Sequence, residues 1–213
     1  ANLAIHSAKD LPTSLPEGLC FAGFLPRADA RDVLIRRANI KDPHSIATGS
    51  PRRRAQAKDW WPGAEWTELR GNLDTRLKKI AVGEADATFL AAAGLQRLGI
   101  DKMDGLVFEP ISIERMVPAA GQGAIALECR IGEAEKYAAA LCPKTACAVM
   151  VERAVLGAMG GGCHAASAAH IANKKLHVFH EAKGRAVFTI KEGYPAEAVA
   201  DATTVINHWL AEK

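Results

Sequence analysis

The sequence predicts an α/β protein with a small α+β unit at its C-terminal end, and three observations carry that prediction. Between residues 33 and 100, apolar runs of strand length alternate with segments whose apolar residues recur at helical spacing, which implies a layered α/β structure. A short strand pattern at Leu3–Ile5 and a Gly-rich loop leading into a second strand near 125–130 lie outside that alternation. From about 135 the chain is Ala-rich and helical through 159, then reads as short strands and a last helix, a separate α+β unit.

Taken in order, Leu3 and Ile5 form a strand ending at His6-Ser7-Ala8-Lys9-Asp10, and Pro12 and Pro16 enforce an extended loop after it. Apolar runs at Leu19–Leu25 and Val33–Arg36 are strands, joined by a charged linker over 26–32. Ser45–Thr48 is a strand that turns at Gly49 into a helix, with Ser50 suited to the N-cap and Pro51 to the first helical position. The stretch from Thr67 repeats this design: a strand ends in Gly71-Asn72, and Leu73, Leu77 and Ile80 follow at helical spacing. Ala85–Ala91 is a buried strand, followed by a helix through Leu95, Arg97 and Leu98. Strands at Leu176–His180 and Ala186–Ile190 and a helix from Pro195 to about Leu210 complete the chain.

At 213 residues the chain fits one large domain or two small ones. It is 49% hydrophobic and 24% charged with a net charge of +3, which does not indicate a nucleic-acid binder. The basic residues are uneven, however. Arg52, Arg53 and Arg54 are consecutive, and Arg70, Arg76, Lys78 and Lys79 follow closely, a clustering that suits a locally held anion. Five scattered cysteines without CxxC spacing favour neither zinc nor a disulfide framework, and suit a reducing cytosol or organelle interior, with a cytoplasmic location expected. No apolar run reaches membrane-spanning length and no signal peptide is visible. The start, Ala1-Asn-Leu-Ala-Ile, falls within a strand-like alternation, so the chain is expected to be the later part of a longer polypeptide.

The candidate chemistry sits at the turns. A helix start at 50–54 presents free N–H groups and partial positive charge, and the arginines beside it add bidentate geometry for carboxylates or phosphates. Arg76, near the start of its helix, opposes the macrodipole and calls for a compensating anion. Arg97 follows a strand's carboxyl end, where open α/β sheets bind ligands. Cys163 stands in Gly160-Gly-Gly-Cys163-His164, a loop open enough to serve as a covalent attachment point. Gly121-x-Gly123 precedes a strand instead of following one, so a dinucleotide-dependent oxidoreductase is set aside. His177 and His180 are separated by an odd number along a strand and point to opposite faces, which disfavours a joint metal site.

Six segments together resemble the porphobilinogen deaminase (hydroxymethylbilane synthase) family. They are His6-Ser-Ala-Lys9-Asp10-Leu-Pro, Thr48-Gly-Ser50-Pro-Arg52-Arg53, Leu69-Arg70-Gly-Asn72-Leu-Asp-Thr-Arg76-Leu, Ala93-Gly-Leu-Gln-Arg97-Leu-Gly, Ala120-Gly-Gln122-Gly-Ala-Ile-Ala-Leu-Glu-Cys-Arg130 and Gly161-Gly-Cys163. The resemblance implies two α/β domains like those of periplasmic binding proteins and a small C-terminal α+β domain carrying the cysteine. Residues 1–25 and 115–132 would be the remainder of domain 1, 29–110 domain 2 and 138–213 domain 3, with the opening part of domain 1 absent.

It further implies a transferase that joins four porphobilinogen molecules, each losing ammonia, into the linear tetrapyrrole hydroxymethylbilane. The primer is a dipyrromethane cofactor held by a thioether to Cys163. Asp10 would be the catalytic carboxylate. Lys9, Ser7, Thr48, Gly49, Ser50, Arg52, Arg53, Gly94 and Gly123 would bind the cofactor with Cys163, and Arg70, Arg76, Arg97, Asn72 and Gln122 the substrate, with no metal. A monomer without nucleic-acid or membrane partners is expected. Gly49, Pro51 and His164 depart from the residues more usual in the family. The alternative reading is a non-catalytic anion-binding module or an inactive relic; Lys9, Asp10 and Cys163 speak against it, because binding alone needs no nucleophile.

Overall fold

The computed structural model describes residues 1–12, 14–160, 166–190 and 195–212. In chain order the strands and helices are β1 (Ala4–Ser7), β2 (Leu19–Phe24), β3 (Asp32–Arg37), β4 (Ser45–Ala47), α1 (Pro51–Ala57), β5 (Glu65–Thr67), α2 (Leu73–Ala81), β6 (Ala87–Ala91), α3 (Ala92–Arg97), β7 (Leu106–Pro110), β8 (Ile125–Arg130), α4 (Pro143–Ala158), β9 (Ser167–Ala172), β10 (Lys175–His180), β11 (Gly184–Thr189) and α5 (Pro195–Ala211). They form two compact units, residues 1–28 with 117–213, and residues 29–116.

The 29–116 unit is a five-stranded mixed sheet in the order β5-β4-β6-β3-β7. β4 runs parallel to β5 and β6, while β3 is antiparallel to β6 and β7. The apolar run Val33-Leu34-Ile35 is buried throughout, as a strand covered on both faces must be. Leu34, Ile46 and Phe89 pack with Ala57, Trp60 and Trp66 on one face; Val33, Ile35 and Leu90 pack with Leu77 and Leu95 on the other. Successive residues of a strand point to opposite faces, so this split follows from the pleat.

The other unit holds two antiparallel sheets, β1-β8-β2 and β11-β10-β9. α4 serves both: Val149 joins Phe24 and Ala126 of the first sheet and Ala124 of the loop before β8, and Val151 and Val155 join Leu176 and Val178 of the second sheet and Ile206 of α5. Apolar residues on more than one side of α4 require burial on more than one side. β9 and β10 are joined through Asn173 and Lys174, at φ 49° and 64°. Two consecutive positive φ values are what a two-residue hairpin turn needs to match the strands' twist.

Three expectations need correction. The helical stretch foreseen over 135–159 is split: residues 134–140 form a 3-10 helix, and α4 starts afresh at Pro143, whose missing N–H suits only a first turn. β9 was unforeseen because Ser167-Ala-Ala-His-Ile-Ala is nearly devoid of the β-branched and aromatic residues that mark strands. The strand expected to run into Gly71-Asn72 ends at Thr67.

Candidate functional site

In the first unit, Lys9 and Asp10 stand on a single 3-10 turn, Ala8–Asp10, directly after β1. Ala8 is wholly buried and its N–H donates to the Ala124 carbonyl (3.0 Å), tying the turn to the loop that enters β8. Gly121 of that loop has φ +73°, and a Cβ there would lie 3.0 Å from Ala8 Cβ and 3.3 Å from Lys9 N. Only glycine allows this approach. Asp10 is exposed, Lys9 and Ser7 are half-buried, and Gln122 is buried with its carbonyl accepting from Arg27 Nε (2.9 Å). The Gly123 carbonyl accepts from the Ala28 N–H.

A residue that the sequence reading missed organises this region. Glu152, in the middle of α4, is fully buried. Its Oε1 accepts from Arg27 Nη1 (2.6 Å) and the Ile171 N–H (2.8 Å), and its Oε2 from Arg27 Nη2 (3.0 Å) and the Gly121 N–H (2.8 Å). His170 Nδ1 lies 3.2 Å from Oε1. Burial raises the Glu152 pKa, but the Arg27 charge and His170 more than offset this and hold the carboxyl down at about 2. The signal for Glu152 was present as one acid within the apolar run Val149–Val155; its partners were not legible.

The second unit carries the arginines. Ser50 caps α1, its Oγ accepting from the Arg53 N–H (3.4 Å), and Pro51 takes the first helical position, both as foreseen. Thr48 is buried, donates its N–H to the Thr67 carbonyl and accepts from the Ser50 N–H through Oγ1 (3.2 Å). Gly49 is exposed, and a Cβ there would meet only the Leu69 carbonyl at 3.8 Å, so the turn has room for a side chain.

Arg52 and Arg53, expected at a ligand, are buried and point at Asp32, itself unforeseen. Arg52 Nη1 lies 2.8 Å and Arg53 Nη2 2.7 Å from its oxygens, and Arg53 Nη1 donates to the Phe89 carbonyl (2.8 Å). Burial disfavours the Asp32 charge, yet the two guanidiniums outweigh it and hold the carboxyl well below the usual range. Burial, followed by the Arg52 and Arg76 charges, pushes Arg53 below the ordinary arginine value against the pull of Asp32. Two guanidiniums therefore meet one carboxylate, an excess of one positive charge among these three groups, and Arg76 adds its charge at Arg53.

The remaining predicted residues are placed as follows. Asn72 is the N-cap of α2, its Oδ1 accepting from the Thr75 N–H (2.9 Å). Arg76 Nε donates to the Gly71 carbonyl (2.8 Å), an acceptor that answers the unfavourable dipole. Arg70 is exposed and paired with Glu68 (2.8 Å). Gly94 packs against Leu73, 3.1 Å from where its Cβ would stand. Arg97 is exposed on the last residue of α3, a full helix beyond the end of β6 and not at the strand end itself. Cys163 and His164 lie outside the described residues. Within the first unit a cavity of about 780 Å³ is lined by Arg27, Cys142, Lys144, Cys147 and Lys174 among others, and includes none of the expected site residues. Among the described residues no group of three or more metal-ligating side chains converges.

Comparison with known proteins supplies the remaining findings. A family model described as "Porphobilinogen deaminase, dipyromethane cofactor binding domain" matches residues 1–138. A porphobilinogen deaminase of Syntrophus aciditrophicus (strain SB) is 44% identical over 171 residues, 76% of this chain and 55% of the relative. One from Coxiella burnetii (strain Dugway 5J108-111) is 40% identical over 187 residues, 84% and 60% respectively. The chain thus spans a little over half the length of these curated relatives. An ABC transporter structure from Parabacteroides distasonis covers 65% of this chain and 51% of its own at 13% identity, with a TM-score of 0.44, too low to bear on the fold.

Proposed function

The chain belongs to the porphobilinogen deaminase family, and from that premise we propose that it is part of a hydroxymethylbilane synthase. This transferase of tetrapyrrole (haem) biosynthesis joins four porphobilinogen molecules, with loss of ammonia, on a covalently held dipyrromethane. The observation that carries the reading beyond family membership is the excess of guanidinium charge around Asp32. Acetate and propionate groups line both the cofactor and the growing chain, so a donor set with positive charge left over after Asp32 is neutralised fits them. When bound, the cofactor supplies the pyrrole end that each new unit extends.

The roles of this chain's residues follow from their chemistry. Cys163 is the proposed attachment point. Arg52, Arg53 and Arg76 supply charge for carboxylates, and Arg70 and Arg97 are exposed cations suited to further ones. Lys9 acts as a point charge, and Thr48 and Ser50 hold the turn in which Gly49 presents its backbone. Ser7, Asn72, Gly94, Gln122 and Gly123 are kept as proposed contacts, although Asn72 and Gly94 also have the structural duties described above. The Asp10 carboxylate, exposed on a turn fixed by Gly121, can stabilise positive charge as it develops on a pyrrole nitrogen. It can also accept the proton the ring carbon gives up.

The proposed division is residues 1–25 with 115–132, residues 29–110, and residues 138–213. Separate sheets β1-β8-β2 and β11-β10-β9 support a boundary between the first and third parts. A cytoplasmic monomer is the proposed state; no helix among the described residues is long and apolar enough to cross a membrane. Intact-mass measurement on protein made in a porphobilinogen-producing host tests the reading. It should show a dipyrromethane-sized adduct that Cys163→Ser abolishes, and an unmodified Cys163 overturns it. Asp10→Asn should keep the adduct while turnover falls by about 10²- to 10⁴-fold; near-normal turnover removes Asp10 from the mechanism.

A further inference from the structure

Cys20 and Cys129 lie 109 positions apart in sequence, yet the fold sets them opposite each other on β2 and β8. Directly paired residues of antiparallel strands project to the same face, and here the two Sγ atoms are 3.7 Å apart. The Ile131 N–H donates to the Gly18 carbonyl, which makes 18/131 a hydrogen-bonded pair. The pattern alternates by one residue, so 20/129 is of the same kind, with its Cα atoms about 5.5 Å apart. That spacing lies within the range a disulfide spans. Both cysteines are free thiols. Cys129 is buried, whereas Cys20 is half-exposed, so the two differ in access to solutes.

We propose that Cys20 and Cys129 form an oxidation site, closing a cross-strand disulfide when a peroxide reaches Cys20. The Cys20 thiolate attacks the peroxide O–O bond, giving a sulfenic acid and hydroxide. The Cys129 sulfur then displaces the sulfenic oxygen as water, and the thiol proton goes with it. Two thiols lose two electrons in all, and one hydrogen peroxide is reduced to two waters. Burial, with Cys20 beside it, pushes the Cys129 thiol above its ordinary pKa, which keeps it a thiol and leaves the first step to its more exposed partner. The inference is independent of the proposed reaction, since neither thiol belongs to the residues assigned to it.

The test treats the intact protein with hydrogen peroxide, blocks remaining thiols with an alkylating agent under denaturing conditions, and maps the peptides by mass. A Cys20–Cys129 linked peptide two hydrogens lighter than its parts, lost on reduction with dithiothreitol, is the expected result. The oxidised protein should also unfold at a higher temperature, because the bond closes a long loop of the unfolded chain. In Cys20→Ser, a substitution at the half-exposed position, Cys129 should stay fully alkylatable after the same treatment. Cys20 recovered as sulfinic or sulfonic acid with Cys129 still a thiol overturns the proposal, as does a bond from Cys20 to any other cysteine.

Discussion

Glu152 and Asp32 are both fully buried carboxylates held in the ionised form by arginine, but they use their acceptors differently. Glu152 takes one guanidinium, from Arg27, and also accepts from the backbone N–H groups of Gly121 and Ile171, with His170 Nδ1 3.2 Å from Oε1. Asp32 accepts from two guanidiniums of one helix start and, among the bonds described, from no backbone N–H group. The first arrangement fixes backbone, and with it the loop against which the Lys9–Asp10 turn rests. The second fixes side chains and leaves a local excess of positive charge. A buried carboxylate is thus an anchor for main chain in one unit and a template for cations in the other.

The comparison breaks most directly at Glu152. Glu152→Gln puts an amide donor against the donors it now accepts from and removes the charge opposite Arg27, so unfolding in urea should show a loss of about 3–5 kcal/mol. Asp32→Asn should cost about 3 kcal/mol on the same grounds. Here the two units should diverge: a small dicarboxylate should recover part of the lost melting temperature in Asp32→Asn by binding the released guanidiniums, and none of it in Glu152→Gln.

Acid should act on both units in the same sense. Folding lowers both pKa values, so their stabilisation is complete above the ordinary values of 3.8 for Asp32 and 4.5 for Glu152 and is lost as pH falls below them, Glu152 being half-protonated at about 2. The melting temperature should owe little change to these groups between pH 7 and about 5 and then fall, less steeply in Glu152→Gln.

Smaller effects sharpen the picture. Gly121→Ala should cost about 1–3 kcal/mol, because it combines φ +73° with a crowded Cβ. Turnover should fall with it if the Asp10 turn is displaced. Ser50→Ala should remove about 1 kcal/mol as the cap of α1 is lost. Arg70→Ala should change stability by less than about 1 kcal/mol, since its ion pair with Glu68 is solvent-exposed. A raised KM for porphobilinogen in that variant would place Arg70 at the substrate.

Features set by neighbours in sequence were the legible ones. The strand–turn–helix at 45–57, with Ser50 and Pro51 in their expected positions, depends on residues within four of each other. So does the α2 start, where Leu73, Leu77 and Ile80 gave the face and Asn72 proved to be the cap. The direction of Arg52 and Arg53 was not legible, because Asp32 lies 20 and 21 positions away. Nor was the register that brings Cys20 to Cys129, since scattered cysteines carry no pairing information until the strands are aligned.

By itself the sequence determined the α/β alternation, the C-terminal α+β unit, the turns that carry the candidate residues and, through six ordered segments, the family. Periodicity and capping are short-range, and a few residues suffice to encode them. Only the tertiary structure decided which buried charges meet. Glu152 reaches Arg27 across 125 positions and Gly121 across 31. Each ion had to find partners before it could be buried, because a desolvated charge without them would destabilise the fold. That requirement says a partner must exist, and packing alone says where.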